Sequence, residues 1–271
     1  MKDIMDISSF FNPDEKPLDH LVSDGGFTGI FRTIGCIGDS LSSGEFQATN
    51  PKGEYTYHDM FDYSWGQYLA RMAGITVKNF SRGGMTAYEY VSGFASANGF
   101  WEQGMDCQAF ILALGVNDFT RILDNQMDFG EYGDINPDDP FRNKNTFVGN
   151  YARIIQLIRL KQPDVRFFLM TVPSGNEGNR KDLCEKHRDF LYYLADTVPH
   201  TYVLDFRKYA PAYDDNFRAK FFMDSHMNPA GYLLTAKMVA SYIDYIIRHN
   251  MDKFCQTGFI GLPLANVHYE K

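Results

Sequence analysis

Short apolar runs alternate along this chain with longer segments of helical period. Residues 33–38 (TIGCIG), 77–81 (VKNFS), 108–114 (QAFILAL), 165–172 (VRFFLMTV) and 201–206 (TYVLDF) read as strands. Near-continuous apolar runs of this length suit strands covered on both faces. Helical patterns lie between them. Ser64 can cap a helix with Trp65, Tyr68, Leu69 and Met72 on one face, and Gly74 can stop it. Residues 145–160 carry Phe147, Tyr151, Ile154, Ile155 and Ile158 at helical spacing, and 180–198 carry Leu183, Phe190, Leu191, Leu194 and Val198. Asn228-Pro229 is a cap followed by a first-turn proline, opening a helix that runs to about His249.

This alternation predicts an α/β domain with a five-stranded parallel sheet between two helical layers. Residues 1–271 are expected to form one domain with its core over about 31–249. Ligands of such sheets bind beyond the carboxyl ends of the strands. Two connections break the repeat: 41–63 is long, polar and aromatic, and 120–144 is rich in Asp, Asn, Gly and Pro. Loops of this length serve as lids or substrate walls, or as surface insertions packed on their own aromatics. Residues 1–30 and 250–271 read as a lead-in and a tail, available for edge strands or for a contact in a homo-oligomer.

The composition narrows the partners. Hydrophobic residues make up 44% of the chain, enough for a sizeable core, and the net charge is −8. An acidic surface repels a phosphate backbone, so nucleic acid is not expected as a partner. The N-terminus is acidic and broken by prolines, which is not a signal-peptide pattern, and no run approaches the length of a membrane span. A cytoplasmic protein without membrane contact is expected. The four cysteines are scattered without a CxxC pair, so neither a disulfide framework nor structural zinc is expected.

Four short motifs follow strands. Gly38-Asp39-Ser40 ends the first, where a serine hydroxyl faces the ligand crevice but needs a base to become a nucleophile. Asn79 to Thr86 (NFSRGGMT) follows the second, and Gly84 can offer its amide to an oxyanion. Gly115-Val116-Asn117-Asp118 follows the third, with the Asn117 side chain as a further donor. Asp224 to Tyr232 (DSHMNPAGY) precedes the last helix and contains His226, the usual kind of base for a serine. Each motif alone is more at home as a turn or a helix cap. Their order, with each at a strand end, favours chemistry. His187 lies on an apolar helix face and reads as a packed core residue.

With these blocks the chain resembles the GDSL/SGNH hydrolases from about Thr33 to Tyr232. The resemblance implies a flavodoxin-like SGNH fold with Ser40 as nucleophile and His226 as general base. It also implies an oxyanion hole made of the Ser40 amide, the Gly84 amide and the Asn117 side chain. The family places its triad acid three residues before the histidine. That position is Met223 here, and Asp224 stands two residues before His226. Either Asp224 still serves as the third catalytic member, or a carbonyl or another acid such as Asp205 orients the base.

The reading is therefore a serine esterase that cleaves a small or short-chain acyl ester, with a carbohydrate acetyl ester as the favoured form. No metal or cofactor is expected. Phe46, Tyr55, Tyr57, Phe61, Tyr63 and Trp65 follow the nucleophile and can stack on a sugar, line an acyl tunnel or fill core. Two alternatives stand beside this reading. One is a non-catalytic relative that binds a glycan or ester. The other is a flavodoxin-like nucleotide or flavin binder, in which residues 38–44 cradle phosphate.

Overall fold

The computed structural model describes residues 12–102 and 106–269; the first eleven residues, on which the reading of the N-terminus largely rests, lie outside the described residues. In chain order the strands are β1 (Thr33–Gly38), β2 (Glu45–Thr49), β3 (Tyr55–Asp59), β4 (Thr76–Asn79), β5 (Ala109–Ala113), β6 (Arg166–Met170), β7 (Thr201–Leu204), β8 (Phe222–Met223) and β9 (His226–Met227). The central sheet has the order β4-β1-β5-β6-β7 and every pairing in it is parallel. The α/β fold with five parallel strands and flanking helices is thus the one expected from the sequence.

Alternation along the strands divides the core in two. Ile37, Phe110, Leu112, Phe167 and Leu169 pack on one face, with the helices Phe147–Lys161 and Lys181–Thr197. Ile34, Cys36, Ala109, Ile111 and Phe168 pack on the other, with the helices Trp65–Ala73 and Pro229–Arg248. The period of two is that of a pleated strand buried on both sides. The caps work locally: Ser64 accepts from the Gln67 amide, Gly74 takes a left-handed conformation, and Asn228 accepts from the Gly231 amide.

Strand ends differ from expectation where a polar side chain takes over the backbone. β4 stops at Asn79, whose side chain accepts from the Ser81 amide at 2.9 Å. β7 stops at Leu204 because Asp205 caps the short helix Phe206–Tyr209. The lead-in and tail add no strand among the described residues. Instead the Phe27 amide donates to Asp244 at 2.7 Å, Arg248 pairs with Glu15, and Gln108 donates to the Thr257 carbonyl. They strap the last long helix and the lower edge of the sheet.

The strand order places the site. β1 lies between β4 and β5, and the connections leaving β1 and β5 carry their helices to opposite faces of the sheet. The crevice at that switch point receives the turns after all three strands. Residues Ser40, Gly84 and Asn117 are in those turns.

Candidate active site

β1 ends at Gly38, and Asp39 starts a single helical turn, Ser40–Ser43, by accepting from the Leu41 amide at 3.1 Å. That cap turns the chain sharply and leaves Ser40 at the crevice, its hydroxyl without a hydrogen bond among the described residues. Burial pushes the Asp39 carboxyl up to about 6, against the backbone hydrogen bonds that it accepts. Asp39 also meets the third motif: Asn117 Nδ2 donates to its Oδ2 at 3.4 Å and to the Met85 carbonyl at 3.2 Å.

Gly84 has φ +71°, which a side chain resists, and its amide finds no acceptor among the described residues. The Ser40 amide, at the first position of its helical turn, has none either. Two orphan amides and the Asn117 side chain thus lie at the ends of three adjacent strands. At Gly83 a β-carbon would stand 2.1 Å from Glu45 Oε2, so a side chain there would displace the end of the Glu45 side chain.

β8 and β9 form a tight antiparallel ribbon in which Met223 pairs with His226, so Asp224-Ser225 is its two-residue turn. Asp224 takes φ +62°, a conformation that Asp tolerates in such turns. This explains the displaced acid. The position three before the histidine lies directly across the ribbon from it, and the carboxylate sits at the tip. Asp224 Oδ2 accepts from Gln47 Nε2 at 2.8 Å, not from His226. His226 Nδ1 instead lies 3.0 Å from Ser225 Oγ and 3.5 Å from Gln47 Oε1. Asp205 is no partner either: it is buried, caps its helix, and accepts from Tyr192 at 3.0 Å.

Sequence reasoning missed the residues that hold His226. The 41–63 connection is a hairpin, β2 against β3, docked on the histidine turn. Gln47 is its buried polar residue. Glu45 Oε1 lies 3.1 Å from His226 Nε2, so the resting base is engaged by Glu45 and not by Ser40. Burial pushes Glu45 up, helped by Asp59 opposite it, and burial pushes His226 down against the charge of Asp224. Both shifts oppose the charged forms of the two groups. The Tyr57 ring packs edge-on against the imidazole, centroids 5.7 Å apart. No local signal marked Gln47 or Glu45, since their partner lies nearly two hundred residues away.

Asp118 braces the site from below. It is fully buried; Oδ1 accepts from the Ala87 amide at 2.9 Å and so ties the Gly84 turn to the Asn117 turn, while Oδ2 has no partner among the described residues. Burial pushes its carboxyl up to about 8, far above an unfolded aspartate. Between about pH 4 and 8 the folded chain therefore keeps a proton that the unfolded chain has lost. Stability falls as pH rises through that window, by up to about 1.4 kcal/mol per pH unit. Asp39 adds the same sign over a narrower range. Asp118→Asn keeps the Oδ1 acceptor, so urea midpoints of the variant should fall less steeply from pH 5 to 8 than those of the wild type. Parallel slopes would refute a protonated Asp118. His187, by contrast, is a core residue, its ring 5.5 Å from that of Phe119, and burial pushes it down to about 3.

Among the described residues no group of His, Cys, Asp and Glu is arranged to hold a metal, and no helix is long and apolar enough to cross a membrane. The four cysteines are free.

Several solved structures share the fold. A family two carbohydrate esterase from Clostridium thermocellum in complex with cellohexaose is 18% identical, with a TM-score of 0.52 over 82% of this chain and 65% of that one. A carbohydrate esterase family 2 enzyme with a carbohydrate-binding domain, from Corynascus thermopiles (Myceliophthora fergusii), is 15% identical, with a TM-score of 0.54 over 80% of this chain and 67% of that one. The acetyl xylan esterase AlAXEase is 16% identical, with a TM-score of 0.51 over 78% of this chain and 99% of that one. At these identities the likeness is one of fold. No curated protein matches the sequence. Residues 36–234, from the middle of β1 to the first turns of the last long helix, match one family of sequences, and that span encloses every turn described above. The chain belongs to the GDSL-like lipase/acylhydrolase family.

Proposed function

We propose that this protein is a serine esterase that cleaves a short acyl group, acetyl foremost, from a carbohydrate alcohol. The observation that carries the reading is a set of unused groups. Among the described residues the Ser40 hydroxyl, the Ser40 amide and the Gly84 amide all lack protein partners, at the ends of adjacent strands. A hydroxyl to attack and two amides to receive negative charge are what acyl transfer needs. Ser40 Oγ attacks the ester carbonyl and passes its proton to His226 Nε2. The oxyanion is held by the two amides and Asn117. The alcohol leaves with the proton from His226, and water repeats the sequence on the acyl-enzyme.

Two features support the substrate class. A largely apolar cavity of about 70 Å³ lies at the ends of β1, β5 and β6, lined by Leu41, Val116, Met170 and Val172 among others. Asp39, Leu41 and Ser42 line it on either side of Ser40 in the chain, though Ser40 and His226 themselves do not; at about half of the roughly 150 Å³ that admits benzene in an engineered cavity, it has room for a short acyl group and not for a long chain. Tyr55 and Tyr57 lie on the same strand and are 59% and 55% exposed, and exposed aromatic faces suit a sugar ring. One observation favours a second reading, a binding protein without turnover: Glu45 occupies Nε2.

A fluorophosphonate probe followed by mass spectrometry separates the two readings, alongside hydrolysis of p-nitrophenyl acetate, butyrate and octanoate and of an acetylated xylo-oligosaccharide. Stoichiometric modification of Ser40, with rates that fall as the chain lengthens, is expected. An unmodified Ser40 with no ester turned over would leave the binding reading.

A further inference from the structure

Resting on that reading, we infer that Gln47 and Ser225 are positioning residues that hold His226 in its base form through a relay, in the place where a triad carboxylate would act directly. The direction of every bond in the relay can be assigned. Gln47 Nε2 faces Asp224 Oδ2 at 2.8 Å, and a carboxylate only accepts, so the nitrogen end of the amide is the end at Asp224. Gln47 Oε1 then points at Ser225, where it accepts from the Ser225 amide at 3.2 Å and from the Ser225 hydroxyl. With its proton committed to Gln47, Ser225 Oγ offers only lone pairs to His226 Nδ1 at 3.0 Å. Nδ1 must therefore carry the ring proton, which leaves Nε2 as the lone pair that accepts from Ser40.

Gln47 is buried on β2 and His226 is largely covered, while Asp224 and Ser225 are exposed at the tip, so a link lost at Gln47 leaves a buried polar group without a partner. The outer end of the relay is supported as well: Arg218 donates to the Asp224 carbonyl at 2.9 Å, and hydrogen bonding to Asp224 pushes the Tyr55 hydroxyl up. A neutral amide and hydroxyl fix the tautomer as a carboxylate does. They stabilise the imidazolium less, since the negative charge of Asp224 acts from beyond Gln47.

Gln47→Met, Ser225→Ala, Ser225→Thr and Gln47→Glu test the relay. The charged and titratable groups facing His226 are Glu45 on β2, Tyr57 on β3 and Asp224 in its own turn, with Asp59 beside Glu45 and Tyr55 beside Asp224. Gln47→Met and Ser225→Ala are expected to lower kcat for p-nitrophenyl acetate about 10- to 100-fold, typical of groups that orient a reacting residue, with KM within about twofold. Ser225→Thr, which keeps the hydroxyl, should restore most of the rate. Gln47→Glu brings a charge towards Nδ1 and should move the acid limb of kcat/KM up by about one pH unit. Unchanged kcat in Gln47→Met and Ser225→Ala, or an unmoved limb in Gln47→Glu, would overturn the relay. Nitrogen NMR of the His226 ring reads the tautomer without any substrate. Nδ1–H is expected in the wild type and a mixture in Gln47→Met, and an Nε2–H wild type would also overturn it. If Ser40 takes no probe and no ester is turned over, the catalytic reading fails while the ring spectrum still decides the relay.

Discussion

Replacing Ser40 or His226 by alanine is expected to lower kcat for p-nitrophenyl acetate by about 10⁴-fold or more, and replacing both to cost no more than either alone. A serine hydroxyl is a poor nucleophile without a base to take its proton, and the base has nothing to do without the hydroxyl. Removing the second after the first therefore removes nothing further. What remains should come from the orphan amides of Ser40 and Gly84 and from binding. The resting geometry adds a condition, because Nε2 lies 3.1 Å from Glu45 and must leave it before it can reach Ser40. On the proposed mechanism His226 works as the neutral base, and burial pushes its value below that of an exposed histidine. Wild-type kcat/KM should thus rise with pH along a limb centred below about 6.5 and reach its plateau by neutrality. Four proteins compared at pH 7.5 make the test. Penalties that multiply in the double variant would show that the two residues do not act as a unit.

Asn117→Ala is expected to lower kcat about 10²- to 10³-fold with little change in KM, the usual loss of one oxyanion donor. The resting contacts of Asn117 Nδ2, at 3.2 and 3.4 Å, are long for hydrogen bonds, so they are readily exchanged for a stronger acceptor. A developing oxyanion is such an acceptor and a ground-state carbonyl is not, which is why the loss falls on kcat. Asn117→Asp has nearly the same shape but replaces the donor with a second carboxyl next to Asp39, and should be at least as impaired. Initial rates over a range of p-nitrophenyl acetate concentrations decide the matter, with melting temperature as the control for folding. A raised KM at unchanged kcat would assign Asn117 to substrate binding instead.

The legible parts of this chain were those written locally. Apolar runs such as 108–114 and caps such as Ser64 and Asn228 act on their own neighbours, so the sheet and four long helices could be read from them. Strand ends could not, because Asn79 and Asp205 end strands with side-chain bonds that compete with the ladder. The hairpin was hidden by an inverted pattern: the residue that β2 buries is Gln47, so no apolar alternation announced it. The offset of Asp224 could be counted along the chain. Its cause, Met223 paired across a two-residue turn with His226, exists only in the register. Gln47 and Glu45 have meaning only once residues 45–59 lie against residues 224–226.

A two-stranded ribbon has little stability of its own in water. The β2–β3 ribbon has four exposed positions on its outer strand, and its inner strand is fastened to the histidine turn through Gln47. That turn is an even shorter ribbon, fastened in return by the same bonds. Each lends the other its order, so a change that loosens one is expected to loosen both. On the proposed function, a substrate that packs on the hairpin would then favour the ordered form of the histidine turn as well.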